Sequence, residues 1–520
     1  MNDVNLFKNM PESYWLASTE STNYKELDED IGVDIAIIGG GMVGILSAYQ
    51  LEKQGFKIAI IEAENIVQST TAHTTAKLTS QHGLIYQKII NQMGRELAQQ
   101  YARANESAIH QIEKIANEYN IDCDYASQLA YIYTQEDKYI KEIEMEVEAA
   151  RSLGIDAELI EDVPFPFEIK TGMAFRNQAQ FHPRKFLLSL AKIINDKGVQ
   201  IYEKTRAIEL DKDNDKYIIN TSEGNKITAQ KVIIATHYPF FNKKSMYYAR
   251  LYVERSYILG VKAQEKYPGG MYINAEDPPR SLRCHPTENG QLILVVGEKH
   301  KAGQGENTNE HYEALFDFAK SMFTIEDIPY RWSTQDCITL DGVPYVGQYA
   351  SDTPNLYVAT GFAKWGMTNS MASSIVLRDL IVKGTSPWAD VYNPSRKTIM
   401  ASSKNFLVQN ADVAGQLLEG KLHSTEKDID LKPGDAIFVE FDGDKTGAYR
   451  DESGKLHLVN TTCTHMGCEL KWNKAERSWD CPCHGSRFTY EGKVIHGPAV
   501  KPLSFDRDVN TIEKVIKEDY

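Results

Sequence analysis

The chain of 520 residues contains no run of about 18 apolar residues, the length needed to span a bilayer as a helix. Its first residues, MNDVNLFKNMPESYW, lack a basic segment followed by an apolar one. No secretory signal is therefore expected, and the protein is expected in the cytoplasm. Positive charge is in short supply: 57 Lys and Arg stand against 72 Asp and Glu, for a formal net charge of −15. Such a balance repels phosphate backbones and anionic lipid surfaces, which argues against nucleic-acid or membrane partners. No internal repeat or low-complexity tract occurs. Cysteine is scarce through the first 460 positions, where only Cys123, Cys284 and Cys337 occur. They are too scattered for a disulfide framework and read as buried thiols.

What is present fits a large globular chain. Apolar residues make up 42% and charged residues 25%, and the length suggests two or three domains. Residues 33–62, VDIAIIGGGMVGILSAYQLEKQGFKIAIIE, read as strand, glycine turn, helix and second strand. Helices are expected over Gly94–Asn120, Gln135–Leu153 and Phe181–Asp196, the last opened by Pro183. Lys231–Thr236 and Leu356–Thr360 have the pattern of fully buried strands. Alternating strands dominate from Met246 to Lys299, and short strands return from Asp428 onward.

Gly39-Gly40-Gly41-Met42-Val43-Gly44 fits G-x-G-x-x-G between a strand and a helix, with Glu62 ending the next strand. Gly39 suits the tight turn, Gly41 close approach of a pyrophosphate, and Gly44 helix–strand packing. Glu62 suits a ribose. Two further stretches point to FAD. Ser69–Lys77 supplies the short hydroxyls of Thr70, Thr71, Thr74 and Thr75 for a phosphate and flavin wall. Tyr357–Ser370 places a strand, Gly361, and then Gly366 opening a helix whose N-terminus would favour a reduced, anionic ring.

Together with QFHPRKFLLSLA at 180–191, these stretches resemble the D-amino-acid-oxidase-type family of FAD-dependent oxidoreductases over roughly residues 30–390. The resemblance implies a Rossmann-like, GR2-type α/β FAD-binding domain with an inserted α+β substrate domain. The FAD-binding part would take about 30–95, 180–240 and 330–395, and the substrate part about 96–180 and 240–330. It implies that Ala207 approaches the adenine and that Ala235 and Thr236 lie by the dinucleotide. Gly361, Trp365, Gly366, Met367 and Thr368 would surround the flavin ring. His73 lies near the region where some members attach flavin covalently, and it reads here as a polar contact or pocket lining. Arg255, Tyr257, Arg280, Arg283 and Lys364 are candidates to position a substrate, an Arg being apt for a carboxylate. No catalytic base is named.

Four of the seven cysteines fall in CTHMGCELKWNKAERSWDCPCHGS, residues 463–486. A Cys₂His₂ zinc site would leave two of these cysteines without a role. C-T-H-x-G-C and C-P-C-H-G-S closely resemble the Rieske family, of the disulfide-containing type. That resemblance implies a small all-β domain over about 426–520, joined through a connector at 396–425. It implies a 2Fe–2S cluster with Cys463 and Cys481 on one iron and His465 and His484 on the other. It also implies a Cys468–Cys483 disulfide, a serine donor at Ser486, and a proline loop over Val494–Phe505. High-potential members carry a tyrosine where this chain has Phe488, so a lower potential is expected. Ring-hydroxylating oxygenases share the domain but need a mononuclear iron site. The 36 residues after His484 hold a single histidine, His496.

The leading expectation is FAD-dependent oxidation of an amine or amino-acid-like substrate. Electrons would pass to the Rieske cluster and on to an external one-electron acceptor or oxygen. One alternative is an NAD(P)H-driven reductase serving a separate oxygenase, against which stands the single dinucleotide fingerprint. The other is a redox sensor without turnover.

Overall fold

The computed structural model describes residues 10–241, 245–288, 290–305, 307–396, 403–419, 431–441 and 444–505. Two large sheets and two small ones organise the chain. The first large sheet runs Tyr345–Gln348, Leu356–Thr360, Lys226–Ile234, Ile31–Ile38, Ile58–Ile61, Gln200–Tyr202. Four of its five pairings along this path are parallel, and Tyr345–Gln348 pairs antiparallel at one edge. Parallel strands are covered on both faces, which is why Ile31–Ile38 and Ile58–Ile61 are apolar nearly throughout. Ile35, Ile37, Ile58 and Ile60 enter one core, and Val33, Ala36, Ile38 and Ile61 enter the other. On the first core lie the helices Met42–Glu52 and Gly366–Lys383, packed against each other.

The second large sheet runs Ile325–Thr339, Leu251–Ala263, Gly290–Lys301, Ser281–Thr287, Met271–Asn274, Ala126–Thr134, Thr171–Gln180, Lys77–Leu78. It therefore includes Lys77–Leu78 and Tyr330–Thr339, two stretches expected in the FAD-binding part. Long antiparallel pairing with Leu251–Ala263 draws Ile325–Thr339 into this sheet along its whole length. The expected helices appear as Arg95–Glu118, Ile140–Ser152 and Pro183–Asp196. The last is capped by His182, whose Nδ1 accepts from the Lys185 amide at 3.2 Å.

The C-terminal region has one sheet of Ala436–Phe441, Asp444–Arg450 and Leu456–Asn460. A second holds Lys471–Asn473, Ser478–Asp480, Arg487–Thr489 and Val494–His496. Trp479 and Phe488 are fully buried in its core. Part of the expected connector is a helix, Ser403–Glu419, whose Val413 and Leu417 pack against that core. The connector's positions 397–402 and 420–425 lie outside the described residues, as do 506–520 of the expected C-terminal domain. Among the described residues, no helix is long and apolar enough to cross a membrane.

Candidate active site and cluster loops

A cavity of about 630 Å³ opens where the two large sheets meet the C-terminal domain. Its nucleotide-like end is backbone-built. A Cβ on Gly39 would stand 2.5 Å from the Ala235 carbonyl oxygen, and one on Gly44 only 1.9 Å from that of Gly39. Only glycine permits this approach of strand, turn and helix. The Gly40 amide donates to Glu62 Oε2 at 2.8 Å, and the Met42 amide to Thr71 Oγ1 at 3.2 Å. Burial raises the Glu62 carboxyl above its ordinary range, against the pull of the Gly40 and Glu64 amides. Thr70 Oγ1 is buried without a partner on the cavity wall. A glycine turn opening a helix, an unpartnered hydroxyl and a carboxylate at the next strand end fit a dinucleotide.

Of the expected residues, Gly39, Gly41, Glu62, Thr70, Thr71, Thr74, Thr75, Ala207, Ala235, Thr236, Gly366 and Met367 line this cavity. Gly44 lies behind it, in the helix packing just described. Gly361, Trp365 and Thr368 are not among the lining residues. Gly361 packs against Thr339, Trp365 stacks on His82 with centroids 5.0 Å apart, and Thr368 donates to the Thr79 carbonyl. His73 reaches the cavity and donates through Nδ1 to the Ser69 carbonyl.

The substrate-positioning candidates need correction. Only Lys364 lines the cavity. Arg255 is fully buried between Ser333, Gln335 and Asp480. Tyr257 stacks on His300 and His311, Arg280 pairs with Glu298, and Arg283 donates to the Ala76 carbonyl. The far wall is instead Ser256, Thr334, Gln335, Asp336 and Lys364, closed by Arg487, His496 and Ala499 of the C-terminal domain. Sequence reasoning missed this wall. Its signal is a run of polar residues, Ser333–Asp336, between Trp332 and Cys337 in a strand that is buried there.

The two cysteine–histidine loops share one build. The Gly467 amide donates to the Cys463 carbonyl and the Gly485 amide to the Cys481 carbonyl, each at 3.0 Å. His465 and His484 lie 5.1 Å apart with perpendicular rings, and each Nδ1 is buried without a partner. Burial pushes the two imidazoles down to about 4 and about 3, which keeps both neutral. The Cys463 sulfur is within hydrogen-bonding reach of Cys481 and of Ser486. A disulfide joins Cys468 to Cys483. Two thiols within reach of each other and two unpartnered imidazole nitrogens on the paired loops fit a Rieske-type donor set.

Docking of these loops on the flavin side is intimate. The Gln335 side chain donates to the Gly485 carbonyl at 2.7 Å. Arg255 and Asp480 form a buried pair at 3.1 Å. Tyr312 donates to Glu476 at 2.7 Å, and the Tyr248 ring meets His484 edge-on at 6.0 Å. A Cβ on Gly303 would collide with the backbone of Cys481 and Pro482.

A family model described as FAD dependent oxidoreductase matches residues 34–380, and one for the Rieske [2Fe-2S] domain matches 423–513. The chain belongs to the FAD-dependent oxidoreductase family and ends in a Rieske domain. FAD and a 2Fe–2S cluster are its cofactors. YhfW of Bacillus subtilis (strain 168), which carries a Rieske 2Fe-2S iron-sulfur designation, is 43% identical over 504 residues. That match covers 97% of this chain and 99% of YhfW. The chloroplastic cytochrome b6-f complex iron-sulfur subunit of Fritillaria agrestis is 40% identical over 88 residues, 16% of this chain and 38% of that protein. L-proline dehydrogenase from P. horikoshii matches 71% of this chain and 98% of its own at TM-score 0.59 and 19% identity. Glycine oxidase from Geobacillus kaustophilus matches 70% and 99% at TM-score 0.58 and 17% identity. These two likenesses show the fold.

Proposed function

We propose that the chain oxidises an amine or amino-acid-like substrate and passes the electrons to its Rieske cluster, then to an external acceptor. The observation that carries this reading is the Gln335 side chain. It lines the cavity and holds the Gly485 carbonyl of the Cys481–Ser486 loop, so one residue separates the two sites. FAD, when bound, accepts a hydride from a carbon beside nitrogen and can release electrons singly.

The chain's own residues divide the rest. Gly39, Gly41 and the amides opening Met42–Glu52 would hold the pyrophosphate, and Glu62 the ribose. Cys463 and Cys481 would hold one iron, His465 and His484 the other. The Rieske residues Arg487, His496 and Ala499 line one side of the cavity. The fold shared with glycine oxidase and L-proline dehydrogenase supports substrates that carry nitrogen.

Anaerobic photoreduction of the flavin, with the cluster followed by EPR, tests the reading. The expected result is a reduced Rieske signal that grows at a rate independent of protein concentration. Bleaching of the flavin with the cluster left oxidised would sink it. Rapid bleaching by NADPH, with none by amines, would favour the reductase direction.

A further inference from the structure

Charge on the far wall of the cavity narrows the substrate class. Among the described residues, the Lys and Arg side chains that line the cavity are Lys364, Arg206, Arg487 and Lys493. Arg206 pairs with Glu64 and reaches the Val494 carbonyl, at the nucleotide end. Arg487 is held by Glu476, Asp480 and Ser478. Lys493 pairs with Glu491, and its side chain is 77% exposed. The histidines His73, His237 and His496 are each driven toward the neutral form by burial.

Lys364 is the remaining cation; it makes two hydrogen bonds and lies between two carboxylates. An ammonium has three N–H bonds. Asp336 Oδ2 stands at 2.6 Å, Ser256 Oγ at 2.7 Å and Glu254 Oε2 at 3.8 Å. The register explains the arrangement. Glu254 lies directly opposite Asp336 across the two paired strands, so both carboxylates project from one face. Like charges in that position repel unless a cation bridges them. Lys364 bridges them and leaves the trio one negative charge in excess. A carboxylate ligand would meet a cation whose charge two acidic neighbours already offset. An ammonium would find the second oxygen of Asp336 and the Ser256 hydroxyl.

We infer that the site takes a cationic alkyl or arylalkyl amine with no carboxylate beside the nitrogen, and not an α-amino acid. This rests on the reading of amine oxidation given above and names its substrate class.

The test uses full-length holoenzyme under anaerobic conditions. Benzylamine and isobutylamine are titrated against the matched acids benzoate and isobutyrate, and the shift of the visible flavin spectrum is read. The expected result is half-saturation by the amines at a concentration at least tenfold lower than by the acids. Glu254→Gln combined with Asp336→Asn frees Lys364 and should shift the preference at least tenfold toward the acids. Lys364→Met, a second and independent variant, should weaken acid binding further while amine binding is kept. A wild-type preference for the acids overturns the inference, as does binding of neither class or a double variant with full flavin and cluster content and unchanged preference. The broader reading fails separately, if amines bind and none of them bleaches the flavin.

Discussion

The nucleotide end of the cavity and its Rieske-facing end are held in place by different physics. At the first, glycine contacts, main-chain amides and short hydroxyls do the positioning, and Gly39 to Thr75 supply most of the wall. At the second, the wall is assembled from Ser256, Gln335, Lys364 and Arg487, scattered over more than two hundred positions, and buried charges clamp it. Steric fit is local and fails by collision. A buried ionic network is global and fails when one partner is left alone.

Gly44→Ala tests the steric end and should have the largest effect. The new methyl group would stand 1.9 Å from the Gly39 carbonyl oxygen, so strand and helix must separate. We expect purified protein with little bound FAD and a normal Rieske EPR signal. Retention of FAD would show that the helix can shift without loss of the site.

Arg255→Leu tests the ionic end. It leaves Asp480 buried with Arg487 3.5 Å away as its remaining cation. Losing one partner of such a pair costs about 3–5 kcal/mol, and Arg487 places this case toward the lower figure. Urea unfolding followed separately by cluster visible circular dichroism and by flavin fluorescence should show the cluster signal lost first. Simultaneous loss would mean the two ends unfold as one unit.

The same contrast governs what was legible in the sequence. Glu62, Thr70 and Thr71 sit within forty positions of the fingerprint, and the strand–turn–helix they join is a local unit. The cysteine–histidine loops are likewise two short turns of one repeating build. The far wall is different. Arg255 looks like a ligand-binding cation because nothing nearby in the chain reveals Asp480 as its partner. Trp365 and Thr368 flank the helix-opening Gly366, but their facing is set by His82 and Thr79, nearly three hundred positions earlier. The helix within the connector gains its partner only when the Rieske core arrives beside Val413 and Leu417.

Ser486→Ala is the next smaller effect, and it acts on the cluster loops themselves. The Ser486 hydroxyl reaches the Cys463 sulfur and accepts from the Ala499 amide at 3.0 Å. A hydrogen bond to a charged group is worth about 1.5–3 kcal/mol. For one electron that corresponds to a potential lower by roughly 60–130 mV. EPR-monitored redox titration reads it, and an unchanged potential would remove Ser486 from the tuning groups.

Asp412→Ala should change least, and it shows where the ionic clamp ends. Asp412, on the helix Ser403–Glu419, accepts from Lys301 at 2.9 Å and from Gln304 at 3.0 Å. The Lys301–Asp412 pair resembles Arg255–Asp480 in distance but not in surroundings. Its two side chains are 29% and 30% exposed, against 0% and 2% for the buried pair. Water can solvate Lys301 once its partner is gone, so the expected loss is below about 1 kcal/mol. Raised salt should weaken the pair in the wild type by a similar amount. A thermal melt within a few degrees of the wild type, with electron passage from flavin to cluster unchanged, would confine the clamp to the buried network. A slower passage with an unchanged melt would show that the helix, and not the Arg255–Asp480 pair, sets how the Rieske loops meet the cavity wall.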